Sequence, residues 1–297
     1  ADLLVIRHGP HCKSDPTACS RFASVECSMP DSFSGGGKSD VPPLVSFCIK
    51  TFLRPHCVRR LVDSIGVFFP DCPILVCDDS GDNELDDFRH RANLTYTALP
   101  FDSGVSKGRN CLARLVETPF LFQLDDDMIV SERTDLSAAL TLLQTYDVLD
   151  LVGGHTSDYD MYGSLEVDAK GALVLRKGRG RLDSRIPIPT FDLVSSSHYV
   201  ARTARMQELL WDEELKTSEH VEFFFRHRAR LVSTHCLALH ASTERESCTP
   251  RYKSFRFGRA GHYGGLAWQK MGITARYIVE SSGRVDRHAL TLEGITR

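Results

Sequence analysis

The segment Phe120–Val130 reads FLFQLDDDMIV, an apolar run that stops at Asp125, Asp126 and Asp127 and resumes with Met128, Ile129 and Val130. A short, continuous apolar run is the pattern of a strand covered on both faces, which places the acids at that strand's carboxyl end. Three adjacent like charges repel one another and none suits a core, so a compensating charge is expected. Alternate side chains of an extended segment share a face. Asp125 and Asp127 are therefore expected to point together while Asp126 faces elsewhere. Hard carboxylate oxygens grouped in this way suit Mg²⁺ or Mn²⁺, and a cation held there suits a diphosphate. The cation would also relieve the repulsion. The competing reading is structural, because Asp is common at strand ends as a cap for turns and helices.

Outward from that strand the pattern alternates. LVSFCIK (44–50), ILVCDDS (74–80), LTYTALP (94–100) and VLDLVGG (148–154) read as further strands, the second ending in its own acid pair, Asp78 and Asp79. Between them, Val58, Leu61, Val62, Ile65, Phe68 and Phe69 recur at helical spacing until Pro70. KGRNCLARLVE (107–117) reads as a second helix, and Leu136, Ala139, Leu140 and Leu143 mark a third. Strand and helix in alternation imply an α/β fold with a mostly parallel central sheet flanked by helices. SLEVDAKGALVLRKG (164–178) reads as a hairpin turning at Ala169-Lys170-Gly171, which would add antiparallel strands to that sheet. Helices near 203–211 and 218–230 and the strand-like run STHCLALHAS (233–242) follow. Residues 1–43 are rich in Ser, Gly, Asp and Pro and have the composition of a stem or linker, leaving 44–297 as one folded domain.

The 297 residues carry a net charge of −3, with 42% hydrophobic and 25% charged residues, so no overall basic surface suggests nucleic acid. The last 47 residues differ, with nine Lys/Arg against three Asp/Glu, a balance that suits an anion such as a phosphate or simply a solvated surface. No stretch approaches the ~20 apolar residues of a membrane span. The sequence begins at Ala1 rather than Met, so any membrane link is expected only through an upstream anchor. Of ten cysteines, Cys12, Cys19 and Cys27 lie in the polar N-terminal segment and Cys236 and Cys248 bracket a late loop. Without paired C-x-x-C spacing, disulfides in an oxidising compartment are expected for these, and buried free thiols for Cys48 and Cys77. Asn93-Leu94-Thr95 is a glycosylation acceptor sequence that points to the same compartment.

Ligands of open α/β sheets bind outside the carboxyl ends of the strands, where both acid clusters stand. His240, after the apolar run LALH, is placed to complete a carboxylate-plus-imidazole metal site, although most of the twelve histidines must be bystanders. No phosphate-loop motif follows the first strand. SGVSKGRN (103–110) instead brings Lys107 and Arg109 ahead of a helix, where they would approach a phosphate or base or merely face solvent. SEHVEFFFRHR (218–228) opens a helix with Glu219 and Glu222, and Glu222 lies on the border of the face formed by Val221, Phe224 and Phe225. Partial burial there would raise its pKa toward general-base duty, whereas the alternative is that both glutamates only favour the helix N-terminus.

The order KTFLRP, ILVCDDS, SKGRN, LFQLDDD resembles nucleotide-sugar-dependent glycosyltransferases of the GT-A fold. With LDLVGG, YVART, WDEEL, HVEFFF and LHAS in the same order, it is most similar to the β-1,4-N-acetylgalactosaminyltransferases of the ganglioside-synthase type, over Val45 to Ser242. The resemblance implies a Mn²⁺-dependent inverting transfer from a UDP-sugar, with GalNAc as the leading sugar, to the hydroxyl of a glycan or glycoconjugate in the Golgi lumen. It assigns Asp127 and Asp125, with His240, to the metal and diphosphate. It makes 44–155 a nucleotide-binding half and 156–297 an acceptor-binding half, and places Thr51, Arg54 and Asp79 in the uridine pocket, Lys107 and Arg109 near the nucleotide, and Asp126 near the ribose or sugar. Glu222 becomes the base, with His220 beside it, although related enzymes carry an acidic pair where this chain has Glu219-His220. The segment GRAGHYGGLAWQKMG (258–272) departs from the pattern and leaves the acceptor open. Two other classes also fit acids at strand ends. One is a nucleotidyltransferase, which usually has a Gly-rich loop where this chain has KTFLRP, and the other a carbohydrate-binding relative without activity.

Overall fold

The computed structural model describes residues 43–156, 161–195, 198–243, 249–280 and 282–288. The first half runs β1 (Val45–Thr51), α1 (Pro55–Phe68), β2 (Ile74–Asp78), a 3₁₀ turn (Asp86–His90), β3 (Leu94–Ala98), α2 (Val105–Leu115), β4 (Phe120–Asp125), β5 (Met128–Ile129), α3 (Leu136–Thr145) and β6 (Leu151–His155). It continues through β7 (Gly163–Val167), β8 (Ala172–Lys177), β9 (Arg181–Asp183), β10 (Ile186–Thr190), β11 (His198–Arg202), α4 (Thr203–Glu208), α5 (Glu219–His227), β12 (Ser233–His240) and β13 (Ser242–Thr243). Helices α6 (Pro250–Gly258) and α7 (Ala260–Met271) and strands β14 (Ala275–Val279) and β15 (Val285–His288) complete it.

The central sheet has seven strands in the order β12-β6-β11-β4-β1-β2-β3, and only β11 runs antiparallel to its neighbours. Its apolar runs are continuous because both faces are covered. Val45, Phe47 and Ile49 of β1 join one core cluster with Val58, Leu61, Val62 and Ile65 of α1. Cys48, between them, joins the opposite cluster with Leu112 of α2 and Phe223 and Phe224 of α5. The same division holds in β4, where Phe122 and Leu124 face α1 and Leu121 faces α2. Strand alternation thus distributes one apolar run between two helical layers. Pro55 opens α1 at a position where a missing N–H costs nothing, and Asp135 caps α3 by accepting from the Ala138 N–H at 2.9 Å.

The sheet takes strands from both sides of residue 155, since β11 and β12 sit among those of the first half. The hairpin read at 164–178 exists, with its turn at Asp168–Gly171, but it does not extend the central sheet. β7 and β8 pair antiparallel and belong to a second sheet, β15-β14-β8-β7. Strand β11 in the central sheet was not evident from the sequence, because its five residues run directly into α4. No disulfide forms among the described residues, and Cys48, Cys72, Cys77 and Cys111 are free thiols. Cys12, Cys19, Cys27 and Cys248, like the 1–42 part of the linker, lie outside the described residues.

Register decides where the chemistry sits. Lys50 aligns with Asp125 and Thr51 with Asp78, so the carboxyl ends of β2, β1 and β4 finish at one level. The chain leaves β1 toward β2 on one side and returns as β4 on the other, a topological switch that opens a crevice. Gly104, just ahead of α2, closes that level from the side with φ +93°, and a Cβ there would lie 2.6 Å from the Lys216 Cα. Gly104→Ala is therefore expected to lower unfolding stability by about 2 kcal/mol or more. Gly66→Ala, in α1 with nothing within 4 Å of the added carbon, should raise it by up to about 1 kcal/mol. Denaturant midpoints of the two variants check both signs.

Candidate active site

A cavity of about 390 Å³ opens at the carboxyl ends of these strands. Among the sequence-derived candidates, Arg54, Asp79, Arg109, Asp125, Asp126, Glu219 and His220 line it. Thr51, Lys107, Asp127, Glu222 and His240 do not.

The strand period ends at Asp125, and Asp126 and Asp127 occupy a turn before β5. This changes how the acids are shared, because the two-residue alternation holds only while the backbone stays extended. Asp126 and Asp127 go together, both to Arg54. Its Nε donates to Asp126 Oδ2 at 3.3 Å, its Nη2 to Asp126 Oδ1, and its Nη1 to Asp127 Oδ2 at 2.8 Å. Thr51 Oγ1 donates to Asp126 Oδ2 at 2.7 Å, so Thr51 holds this acid rather than lining the cavity. Asp125 goes instead to Arg109, whose Nη2 donates to it at 3.1 Å while Nη1 donates to Glu219 Oε1 at 2.8 Å. The compensating charge expected for the three aspartates is thus supplied by two guanidiniums of the chain itself. Burial pushes the Asp125 carboxyl up to about 6 against the pull of Arg109. Although burial acts the other way, Asp126 and Asp127 hold the Arg54 guanidinium above its usual range.

Asp79 is consumed on both oxygens, accepting from Lys50 Nζ at 2.6 Å and from the Gly104 N–H at 2.8 Å. It therefore fastens β2 to the start of α2. Lys50 reaches it past Gly108, where a Cβ would come within 2.3 Å of the Lys50 side chain. Lys107 is exposed on α2, away from the cavity. Glu222 is 2% exposed and tied to Arg226, whose Nε donates to Glu222 Oε1 at 2.6 Å. The carboxylate that α5 presents to the cavity is Glu219, one helical turn earlier, and not Glu222. Beside it, His220 Nε2 donates to the Val194 carbonyl at 3.0 Å, and the buried Nδ1 has no hydrogen-bond partner. Burial, with Arg109 nearby, pushes the His220 imidazole down to about 3 and keeps it neutral.

His240 stands at the end of β12, its ring 5.8 Å from that of His155 and its carbonyl accepting from Thr134 Oγ1 at 2.6 Å. The next strand, β13, pairs with β5 through Thr243 and Met128, which brings this backbone beside the Asp127 turn. Among the described residues, no group of three or more His, Cys, Asp or Glu is arranged to hold a metal ion. Of the expected set, Asp125 is held by Arg109 and Asp127 by Arg54.

Residues not singled out from the sequence complete the cavity: Lys50, Phe52, Asp102, Lys216, Tyr252, Phe255, Arg256 and Arg259. Four of them follow residue 250, where the basic excess of the tail was the one available signal.

Acids and cations at the switch point of a mostly parallel sheet, with a smaller sheet beside it, define a GT-A fold. A mannosyltransferase from Pyrobaculum calidifontis, solved in complex with GDP-Man and Mn²⁺, shares it with a TM-score of 0.52 at 12% identity, over 78% of this chain and 64% of that one. The glycosyl transferase family 2 profile matches residues 46–202, and the chain belongs to that family. Beta-1,4 N-acetylgalactosaminyltransferase 2 of Mus musculus is 28% identical over 212 residues, 70% of this chain and 41% of the relative. Beta-1,4 N-acetylgalactosaminyltransferase 1 of Homo sapiens is 29% identical over 250 residues, 77% and 46% respectively. The chain spans less than half the length of these two relatives.

The buried histidine has a measurable consequence. His220 resists protonation in the folded protein, whereas the unfolded chain accepts a proton near 6.5. Stability should therefore be full above pH 6.5 and fall by a few kcal/mol as pH drops toward 3. His227, pushed down to about 4 by burial and Arg226, adds to the same slope. Denaturant titrations across this range should show a shallower slope for His220→Asn than for the parent.

Proposed function

We propose that the protein is an inverting glycosyltransferase that moves a sugar from a UDP-sugar to a hydroxyl of a glycan or glycoconjugate. The observation that carries the proposal is the cavity at the β1–β4 switch point, rimmed by Asp125, Asp126, Arg54 and Arg109, in a chain of glycosyl transferase family 2. GalNAc as the sugar is supported by the two mammalian relatives, both N-acetylgalactosaminyltransferases by name. The lumen of the secretory pathway, a division into donor and acceptor halves near residue 155, and a stem at 1–43 complete the proposal. No helix among the described residues is long and apolar enough to cross a membrane.

In an inverting transfer the acceptor oxygen attacks the anomeric carbon as the bond to the diphosphate breaks, through an oxocarbenium-like state. Two needs follow: positive charge for the departing diphosphate and a base for the acceptor proton. The chain offers Arg54, Arg109 and Lys50 at the strand ends for the first. For the second, α5 offers Glu219, the one glutamate of the helix that reaches the cavity, and Glu219 is our assignment for the base. His220 is the second reading, favoured by its buried Nδ1, which has the lone pair of a neutral imidazole and no partner.

The donor set fits Mn²⁺ or Mg²⁺ in chemistry, since Asp127, Asp125 and His240 combine carboxylate oxygens with an imidazole. The pairing of β13 with β5 supports including His240. Bound there, a divalent cation would act as a Lewis acid toward the diphosphate. Arg54 must then release Asp127.

Thermal unfolding with UDP, GDP and CMP sugars, with and without Mn²⁺, tests the assignment. Stabilisation by UDP-sugars that needs Mn²⁺ and disappears in Asp127→Ala is expected, and indifference to every nucleotide sugar would sink the proposal. For the base, Glu219→Gln should lower kcat by about 10²-fold or more while UDP still binds. Glu222→Gln should keep most of its turnover. Loss of turnover in His220→Asn with Glu219→Gln active would transfer the role to His220.

A further inference from the structure

Helix α6 is strongly basic, with Arg251, Lys253 and Arg256, followed by Arg259, and no acid between them. It lies beyond the segment matched by the family profile, yet it forms one wall of the cavity. Tyr252, 5% exposed, packs with Phe52 and Leu53. The Phe255 ring meets Phe52 edge-on at 5.4 Å. Arg259 fixes the far end through two bonds to Asp102, at 2.5 and 2.7 Å, and Lys216 Nζ joins the same carboxylate at 2.9 Å.

The cavity wall carries six Lys/Arg against five Asp/Glu, and the pairing shows which cation is left over. Lys50 has Asp79, Arg54 has Asp126 and Asp127, Arg109 has Asp125 and Glu219, and Lys216 and Arg259 share Asp102. Among these six, Arg256 alone has no carboxylate within ion-pair distance among the described residues. Its hydrogen-bond partner is a neutral phenol, Tyr252 Oη, at 2.7 Å. That phenol ring lies 4.3 Å beneath the Arg54 guanidinium, so Arg256 is aimed from α6 toward the cations that cap the acid turn. A guanidinium held at one corner by a neutral group keeps other N–H donors for an anion, and its planar fork matches phosphate oxygens.

We infer that Arg256 is a phosphate contact of this site, taking the diphosphate of the nucleotide sugar from the side opposite the strand ends, with the Arg259–Asp102–Lys216 bridge holding α6 in place. The inference rests on the nucleotide-sugar reading above and adds to it a ligand contact from the C-terminal helices. Arg256 donates hydrogen bonds to the phosphate oxygens, and no covalent step involves it.

Calorimetric titration of the full chain with UDP and with uridine, in Mn²⁺ buffer and again in EDTA, separates phosphate from nucleoside binding. In Arg256→Ala, UDP affinity should fall about 10- to 100-fold, as for loss of a charge-assisted hydrogen bond. Uridine affinity should stay unchanged, and Arg256→Lys should recover part of the loss. Lys253→Ala, on the same helix but outside the cavity wall, should bind UDP like the parent. If Arg256→Ala melts early, Arg256→Gln, which can still hydrogen-bond Tyr252, replaces it with the same expectation. UDP affinity within twofold of the parent in a folded neutral variant would overturn the inference and leave the nucleotide-sugar reading standing. A parent that binds UDP no better than uridine would also overturn it. A parent that binds neither would remove both.

Discussion

The fork between Arg54 and the acid turn is the contact on which the site depends. Asp126 is 2% exposed, and a carboxylate taken that far from water is tolerated only when paired and hydrogen-bonded. Thr51, the last residue of β1, and Arg54, the N-cap of α1, meet that need, while the ring of Tyr252 packs against the guanidinium. One side chain therefore links the β1–α1 junction, the β4–β5 turn and α6. Taking away either member of such a pair typically costs about 3–5 kcal/mol, because the survivor keeps its desolvation penalty without its partner.

Much of this was legible in the sequence where one kind of pattern persisted. The runs of β1, β2 and β4 were readable because both faces of the sheet are covered, so no polar alternation interrupts them. Their shared level followed from acids ending two of the runs. The arrangement of the aspartates was not readable, because the turn at Asp126 breaks the alternation on which the expectation for Asp125 and Asp127 relied. The pairing of Glu222 was not readable for a related reason. Helical spacing put it on the border of the apolar face, but Arg226, four residues on, captures it, and a partner of that kind is invisible to hydrophobic pattern. Lys50, Asp102 and Lys216 escaped notice because their partners are distant in sequence and only the fold brings them together. Helices α6 and α7 escaped because basic residues and glycines blur their periodicity, although the charge excess of the tail did point to an anion.

The site divides its acids between two tasks. Asp79 and Asp102 hold elements together, the first joining β2 to α2 and the second joining α6 to the loop before α5. Asp125, Asp126 and Glu219 line the space itself, each balanced by an arginine.

The double attachments of Arg54, Arg109 and Lys216 carry a consequence for entropy. Fixing a long cationic side chain costs up to about 2 kcal/mol in rotamer freedom. Here that freedom is lost when the chain folds, since each of these groups is already held by two or more contacts in the protein alone. An incoming anion meets ordered donors and needs only to exchange their partners, so the disorder that usually opposes binding at an arginine-rich surface has been removed in advance.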